Sequence, residues 1–350
     1  MGSTYLTLHR SPDRRAYYET AAAEPVFDPV TKAWIVKNPA ACERILNSPD
    51  VRPDNFAENY AVLEKHLGLD FSNTKAALRY IPLCLHAEDH VKTRRLIAAH
   101  LAAEKDRLSA WVTNNLPSHL KVLEQEGEIE LVRDVLEPLV FDVMEIVTDV
   151  PAPVARRCKT TSVLFDKASG PRKRQRAEAE VAQLHDIIRS KLGPDASDDA
   201  VGVRLALAVV GRDSFLGTLG ASLHHVLTAN QGRRLDEIDY PPTPPETGVP
   251  FVERIAVQSF EDVDTRFKTG DRIRLYLQSF AYTGSVRDRA RIFGQGSHLC
   301  PGKSLSLAVW GAITKRLAQI PLHADVTSYA VRTDDYVFLC ADHLNMRLRK

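Results

Sequence analysis

Apolar residues recur at three- and four-residue spacings along most of this chain, the period of helices that bury one face. From Ala87 the pattern runs through Ile97 and Leu101, with Glu88 and Asp89 suiting the positive end of a helix dipole. Two further helical stretches follow. One spans Asp106 to Glu126 (Leu108, Trp111, Val112, Leu116, Leu120, Leu123); the other spans about Asp134 to Asp149 (Val135, Leu139, Val143, Ile146, Val147). Glu178 to Lys191 reads as another helix, and Asp199 to Asn230 is the most apolar long segment, predicted to be a helix buried through the middle of the molecule. A last buried helix carries Leu305, Leu307, Ala308, Val309, Trp310, Ile313 and Leu317. Strand signals are fewer: Ala33 to Val36, Val249 to Ala256, a hairpin over 263–279 turning at Lys268-Thr269-Gly270-Asp271, and a closing hairpin from Val331 to Arg349. After the first strand, Asn38 is placed as an N-cap with Pro39 at the first helical position of a helix to about Leu46. Residues 55 to 84 show weak periodicity, so Tyr60, Leu63, Leu67 and Phe71 read as anchors of a loop. The sum is a mainly α protein with small β-sheets, one domain over residues 1–350, without internal repeats or a low-complexity linker.

At 350 residues and 44% hydrophobic content the chain can bury a substantial core. Its formal net charge of +1 gives no polyelectrolyte argument for nucleic acid. The cysteines (Cys42, Cys84, Cys158, Cys300, Cys340) are odd in number and widely spread, which indicates neither a disulfide framework nor a zinc site, and suits a reducing cytoplasm. Met1 to Arg15 carries Arg and Asp without a long apolar run, so no signal peptide or membrane anchor is expected there.

The chemistry concentrates in Phe293 to Gly302, Phe-Gly-Gln-Gly-Ser-His-Leu-Cys-Pro-Gly, in what reads as a strand-loop-helix setting. Cys300 follows a glycine-punctuated loop and opens a helix, where backbone N–H groups and the dipole favour an anionic sulfur. Gly294 and Gly296 let the loop wrap closely round a flat group, Phe293 can pack beside the sulfur, and His298 can point a donor outward. The pattern resembles the haem-binding loop of the cytochrome P450 family, FGxGxHxCxG, with every fixed position filled. The resemblance implies haem b with Cys300 as the iron ligand, and Phe293, His298 and Gly302 as parts of the cofactor loop. It covers about residues 25 to 350, and implies the cytochrome P450 fold in a soluble, bacterial-type form.

Other segments carry the resemblance further. His90 and Arg94, four apart on one helical face, match the family's HxxxR pair that meets the haem propionates. Arg254 matches its third propionate-binding group. Lys92 and Arg95 lie on another face, either solvated or available to an acidic redox partner. Val210-Gly211-Arg212-Asp213-Ser214 resembles the oxygen-binding segment of the central helix, implying that the Ser214 hydroxyl and the Asp213 carboxylate serve dioxygen and its protons beside the gap left by Gly211. The alternative is that Gly211 and Ser214 only ease helix packing. Arg172-Lys173-Arg174-Gln175-Arg176 reads as a solvated helix start, with reception of a carboxylate or an acidic carrier protein as the other reading. In the family the 55–84 equivalent covers the substrate pocket and the 334–337 tip reaches it.

The region between the central helix and the cysteine loop departs most. It is compressed, and its Pro241-Pro242-Thr243-Pro244-Pro245 is too broken for two full helices. Glu237 is followed three later by Tyr240 and Glu246 by Val249, so the family's Glu-x-x-Arg pair is missing, leaving Arg287, Arg289 and Arg291 as candidate replacements. Taken together, the resemblance implies a monooxygenase acting on a small natural-product intermediate, free or carried on a protein, with electrons from a separate ferredoxin or flavodoxin. Two alternatives stay open: an atypical haem-thiolate enzyme using peroxide or performing dehydration, coupling or nitrogen chemistry, and a non-catalytic haem-binding protein.

Overall fold

The structure is a computed structural model describing residues 25–167, 169–262, 264–282, 286–332 and 337–350. The expectations for Met1 to Arg15 and for the hairpin tip at 334–336 fall outside these residues.

The chain enters through strands β1 (Val26–Asp28) and β2 (Ala33–Val36), which pair antiparallel across a turn closed by Asp28 Oδ1 accepting from the Val30 amide at 2.9 Å. Helix α1 (Pro39–Leu46) follows with the predicted cap: Asn38 accepts from the Ala41 amide at 3.0 Å. β3 (Val51–Pro53) then leads to α2 (Phe56–Leu67) and α3 (Ser72–Leu78). These two helices overturn the loop expected over 55–84. Asn55 caps α2, Gly68 at φ 65° ends it, and the stripe Phe56-Tyr60-Leu63 faces inward. The stripe is short and interrupted, so its period does not stand out in sequence. Tyr60 meets Phe71 edge-to-face at 5.0 Å.

Helix α4 (Ala87–Ala103) carries the predicted face. The long helix expected over 106–126 is broken into α5 (Lys105–Asn114), α6 (Leu116–Leu120) and a 3-10 turn, because Pro117 supplies no N–H to continue α5. β4 (Gly127–Glu130) and a π turn over Val132–Leu136 precede α7 (Glu137–Thr148). After the short α8 (Ala152–Ala155), α9 (Pro171–Leu192) starts at the basic cluster itself rather than at Glu178. Arg174 turns inward there, donating to Tyr60 Oη at 3.0 Å and to the carbonyls of Asp166 and Ser169. α10 (Asp198–Ala229) is the expected central helix, 32 residues long, capped by Ser197.

The segment up to Pro250 holds only a 3-10 turn at Leu235–Glu237, in keeping with its prolines. β5 (Val252–Ala256), β6 (Phe260–Asp262), β7 (Thr265–Phe267) and β8 (Arg272–Leu275) come next. The predicted turn at 268–271 exists, but its strands do not pair as a hairpin: β7 pairs with β6, while β8 pairs with β2 and β5. The larger sheet runs β1-β2-β8-β5-β3. Short helical turns, including α11 (Val286–Arg289), lead to the cysteine loop, then α12 (Lys303–Leu317). β9 (His323–Val331) and β10 (Ala341–Arg349) form the closing antiparallel pair, with β4 on the far side of β10.

The C-terminal half of α10 packs with α7, α12 and β10 in one apolar core, and its N-terminal half packs with α2, α3 and α9 in a second. A third core lies between the larger sheet and α1. Helix α10 therefore spans the interior, and α1 reaches the proximal side where the cysteine loop lies.

Candidate functional site

The loop before α12 is tightly wound. It is entered from a 3-10 turn (Ala290–Phe293), not from the strand expected. Gly294 has φ 77°, and a side chain there would also place its Cβ 2.9 Å from the His298 carbonyl oxygen. Gly296, at φ 59°, lies against Asn47 of the α1 C-cap. The Cys300 amide donates to Phe293 O at 2.8 Å, closing the loop on itself.

Cys300 lies three residues before the first residue of α12, where the Lys303 amide donates to its carbonyl at 3.2 Å and the Gly302 and Lys303 amides favour an anionic sulfur. Burial pushes the thiol up, while those amides, Arg94 and Lys303 pull the other way without reversing it. The unligated side chain is a thiol; a coordinated metal ion would take its proton. Phe293 is half-buried, with Lys303 Nζ 5.9 Å from its ring centroid.

Four of the expected residues come together beside this loop. Arg94 donates to the carbonyl of Leu299, fixing α4 on the loop. The rings of His90 and His298 lie 4.1 Å apart. Arg254, on β5, is 2% exposed and its Nη1 donates to Glu253 O at 2.9 Å. Among the described residues no carboxylate pairs with Arg94 or Arg254, and the buried Nε2 of His90 and Nδ1 of His298 have no hydrogen-bond partner. Burial pushes Arg254 down to about 10, and burial together with Arg254, His90 and Arg94 pushes His298 down to about 3. His90 moves down for the same reasons. The shared cause is burial, to which neighbouring cations add for the two histidines.

The α10 segment is arranged differently from the sequence expectation. Leu207, Val210, Gly211 and Ser214, spaced three and four apart, are half-buried positions in the largely buried middle of the helix. The Asp213 carboxylate is not free: it is 3% exposed and accepts from Arg212 Nε at 2.9 Å and Nη2 at 2.7 Å. Arg212 is also tied to the carbonyls of Ala155 and Cys158, and Asp213 outweighs burial to hold its pKa up. Ser214 Oγ donates back to Val210 O at 2.8 Å or Gly211 O at 3.0 Å, leaving its lone pairs to accept. A Cβ on Gly211 would approach Met144 Cε at 3.0 Å, the mobile end of that side chain. Arg212 was missed in the sequence because an Arg beside an Asp reads as surface charge. Lys92 pairs with Asp199 at 3.2 Å, so half of the suggested partner face is engaged within the chain.

Neither a family model nor a curated protein matches the sequence. Solved structures do. CalO2 aligns with a TM-score of 0.80 at 14% identity, covering 97% of this chain and 96% of its own. P450BioI, solved in complex with a hexadec-9Z-enoic acid-ligated acyl carrier protein, aligns at 0.76 and 15%, covering 99% and 100%. A thermophilic cytochrome P450 from Sulfolobus tokodaii aligns at 0.70 and 15%, covering 96% and 99%. The fold of this chain is that of the cytochromes P450, near full length in both directions. Among the described residues no helix is long and apolar enough to cross a membrane.

Proposed function

We propose that the chain is a single-domain haem-thiolate monooxygenase that binds haem b, with Cys300 as the residue that would hold the iron. The carrying observation is the group His90, Arg94, Arg254 and His298 beside the cysteine loop: His90 and Arg254 are buried, Arg94 and His298 half-buried, and among the described residues no carboxylate pairs with either arginine. Two propionates supply such carboxylates, and the orphaned ring nitrogens supply donors for them. Bound haem, with a thiolate donating to its iron, supplies dioxygen activation.

The protein's own residues hold and orient around that group. Arg94, with its guanidinium on Leu299 O, fixes α4 against the loop, and Gly302 and Lys303 amides stabilise the Cys300 sulfur as an anion. On α10 the half-buried Ser214 keeps lone pairs to accept, while Arg212 holds the Asp213 carboxylate away from solvent. A small-molecule substrate, free or carried, is oxidised with electrons from a separate ferredoxin or flavodoxin. The likeness to P450BioI, solved with an acyl carrier protein, supports keeping a carrier-bound substrate in view. Among the described residues no disulfide is formed, which suits the cytoplasm.

One observation favours a second reading. Asp213 is clamped by Arg212, so a freely moving proton relay is missing at this position. Peroxide brings its own protons, and a peroxide-using enzyme would not need one. The test is turnover of haem-loaded protein on a panel of small acids and carrier thioesters, driven by ferredoxin and its reductase or by hydrogen peroxide. Product with the reductase supports the monooxygenase. Product with peroxide alone moves the assignment to the second reading, and haem loading without either product points to a non-catalytic binder.

A further inference from the structure

The segment that ends in Cys300 lacks the family-type Glu-x-x-Arg support, yet one of its arginines is strongly engaged. Arg291 donates from Nη2 to Glu43 Oε1 at 2.6 Å and from Nη1 to Asp288 Oδ1 at 2.8 Å. Its guanidinium carbon lies 5.9 Å from the Phe280 ring centroid. Glu43 belongs to α1, far away in sequence, and α1 makes more than this one contact. Gln295 Nε2 donates to the Glu43 carbonyl at 3.2 Å, and Asn47 Oδ1 comes within 3.1 Å of where a Cβ on Gly296 would stand. The backbone carbonyl of Arg291 in turn accepts from the Gly294 amide at 2.8 Å, at the first glycine of the loop.

We infer that the C-terminal end of α1, through Glu43 and the guanidinium of Arg291, is the brace that sets the position of the Cys300 loop. The inference rests on the haem reading only for its consequence, not for its geometry. Arg291 is a positioning residue: it acts on the sulfur through Gly294 and the loop backbone. Both members are partly exposed (18% for Arg291 and 38% for Glu43), so the ion pair by itself contributes little. The planar fork on two carboxylates fixes direction, which a lysine at the same place cannot reproduce.

The test uses Glu43→Gln, Arg291→Gln, Arg291→Lys and the Glu43→Gln/Arg291→Gln double variant of the full chain. Hydrogen exchange at the Gly294 and Cys300 amides is followed by mass spectrometry without reference to haem, with α10 as internal control. Each single Gln variant is expected to speed loop exchange roughly three- to tenfold with α10 unchanged. The double variant should be no faster than the worse single one, because the two residues form one unit. Arg291→Lys should recover only part of the protection. Loop exchange at the wild-type rate in both Gln variants overturns the brace, as does loss of protection in α10 to the same degree. In haem-loaded protein the same variants should hold a smaller fraction of the carbon monoxide complex in the thiolate-ligated form. Absence of a thiolate signal in the wild type would sink the haem reading, while the exchange result still decides the brace.

Discussion

Arg254→Met is expected to have opposite effects on the haem-free and haem-loaded protein. The substitution keeps length and removes a cation that is 2% exposed and without a carboxylate partner among the described residues. Burial pushes the guanidinium from its ordinary 12.5 to about 10. At about 1.4 kcal/mol for each tenfold in the protonation equilibrium, this corresponds to roughly 3 kcal/mol of unfavourable desolvation in the empty chain. Losing the hydrogen bond to Glu253 O gives back about 1 kcal/mol, so the haem-free variant should gain roughly 2 kcal/mol. With haem bound as proposed, the variant would forgo a charge-assisted bond to a propionate, about 1.5–3 kcal/mol. Urea midpoints of the haem-free protein and haem transfer to apomyoglobin measure the two halves. The reasoning fails if Arg254→Met destabilises the haem-free chain, or if haem leaves the variant no faster than the wild type.

His298 gives a pH prediction. Its pKa in the fold is pushed from an ordinary 6.5 to about 3, so between these values the unfolded chain binds the extra proton. Stability is therefore fully present above about pH 6.5 and declines as the pH falls towards 3. His298→Gln should flatten that decline in haem-free urea titrations; an identical slope would argue against it. Asp213→Asn leaves the buried Arg212 cation poorly compensated and should cost about 3 kcal/mol or more in thermal or chemical unfolding, whereas Ser214→Ala should cost well under 1. Equal stability of the Asp213→Asn and wild-type proteins would mean the clamp is not formed. Arg174→Met removes a donor from Tyr60 Oη and from two carbonyls at the start of α9, and should destabilise by roughly 2 kcal/mol, measured by the same titration.

Features set by local chemistry were legible in the sequence. Asn38-Pro39 marks a helix start because an Asx cap and a fixed proline φ act within a few residues, and both are where they were expected. His90 and Arg94 share a face by helical period alone, and the cysteine loop carries its conformation in Gly294 and Gly296. Features set by distant partners were not. Helices α2 and α3 are held by Tyr60 and Phe71 meeting each other and Arg174, contacts that no short window contains. The Arg212–Asp213 clamp depends on carbonyls of 155 and 158, and the Glu43–Arg291 pair joins residues on opposite sides of the chain's length. The turn at 268–271 was visible, but strand partners come from the sheet as a whole, so β7 and β8 separate.

Ligation of haem iron by Cys300 as a thiolate is the proposal on which the function rests. The most direct measurement is the absorption spectrum of the reduced, haem-loaded protein under carbon monoxide, for the wild type and Cys300→Ala. The wild type should show the strongly red-shifted Soret band of thiolate ligation, and Cys300→Ala should lose it while keeping the far-ultraviolet dichroism of the folded chain. A wild-type spectrum without the shifted band, or a Cys300→Ala protein that retains it, would contradict the account.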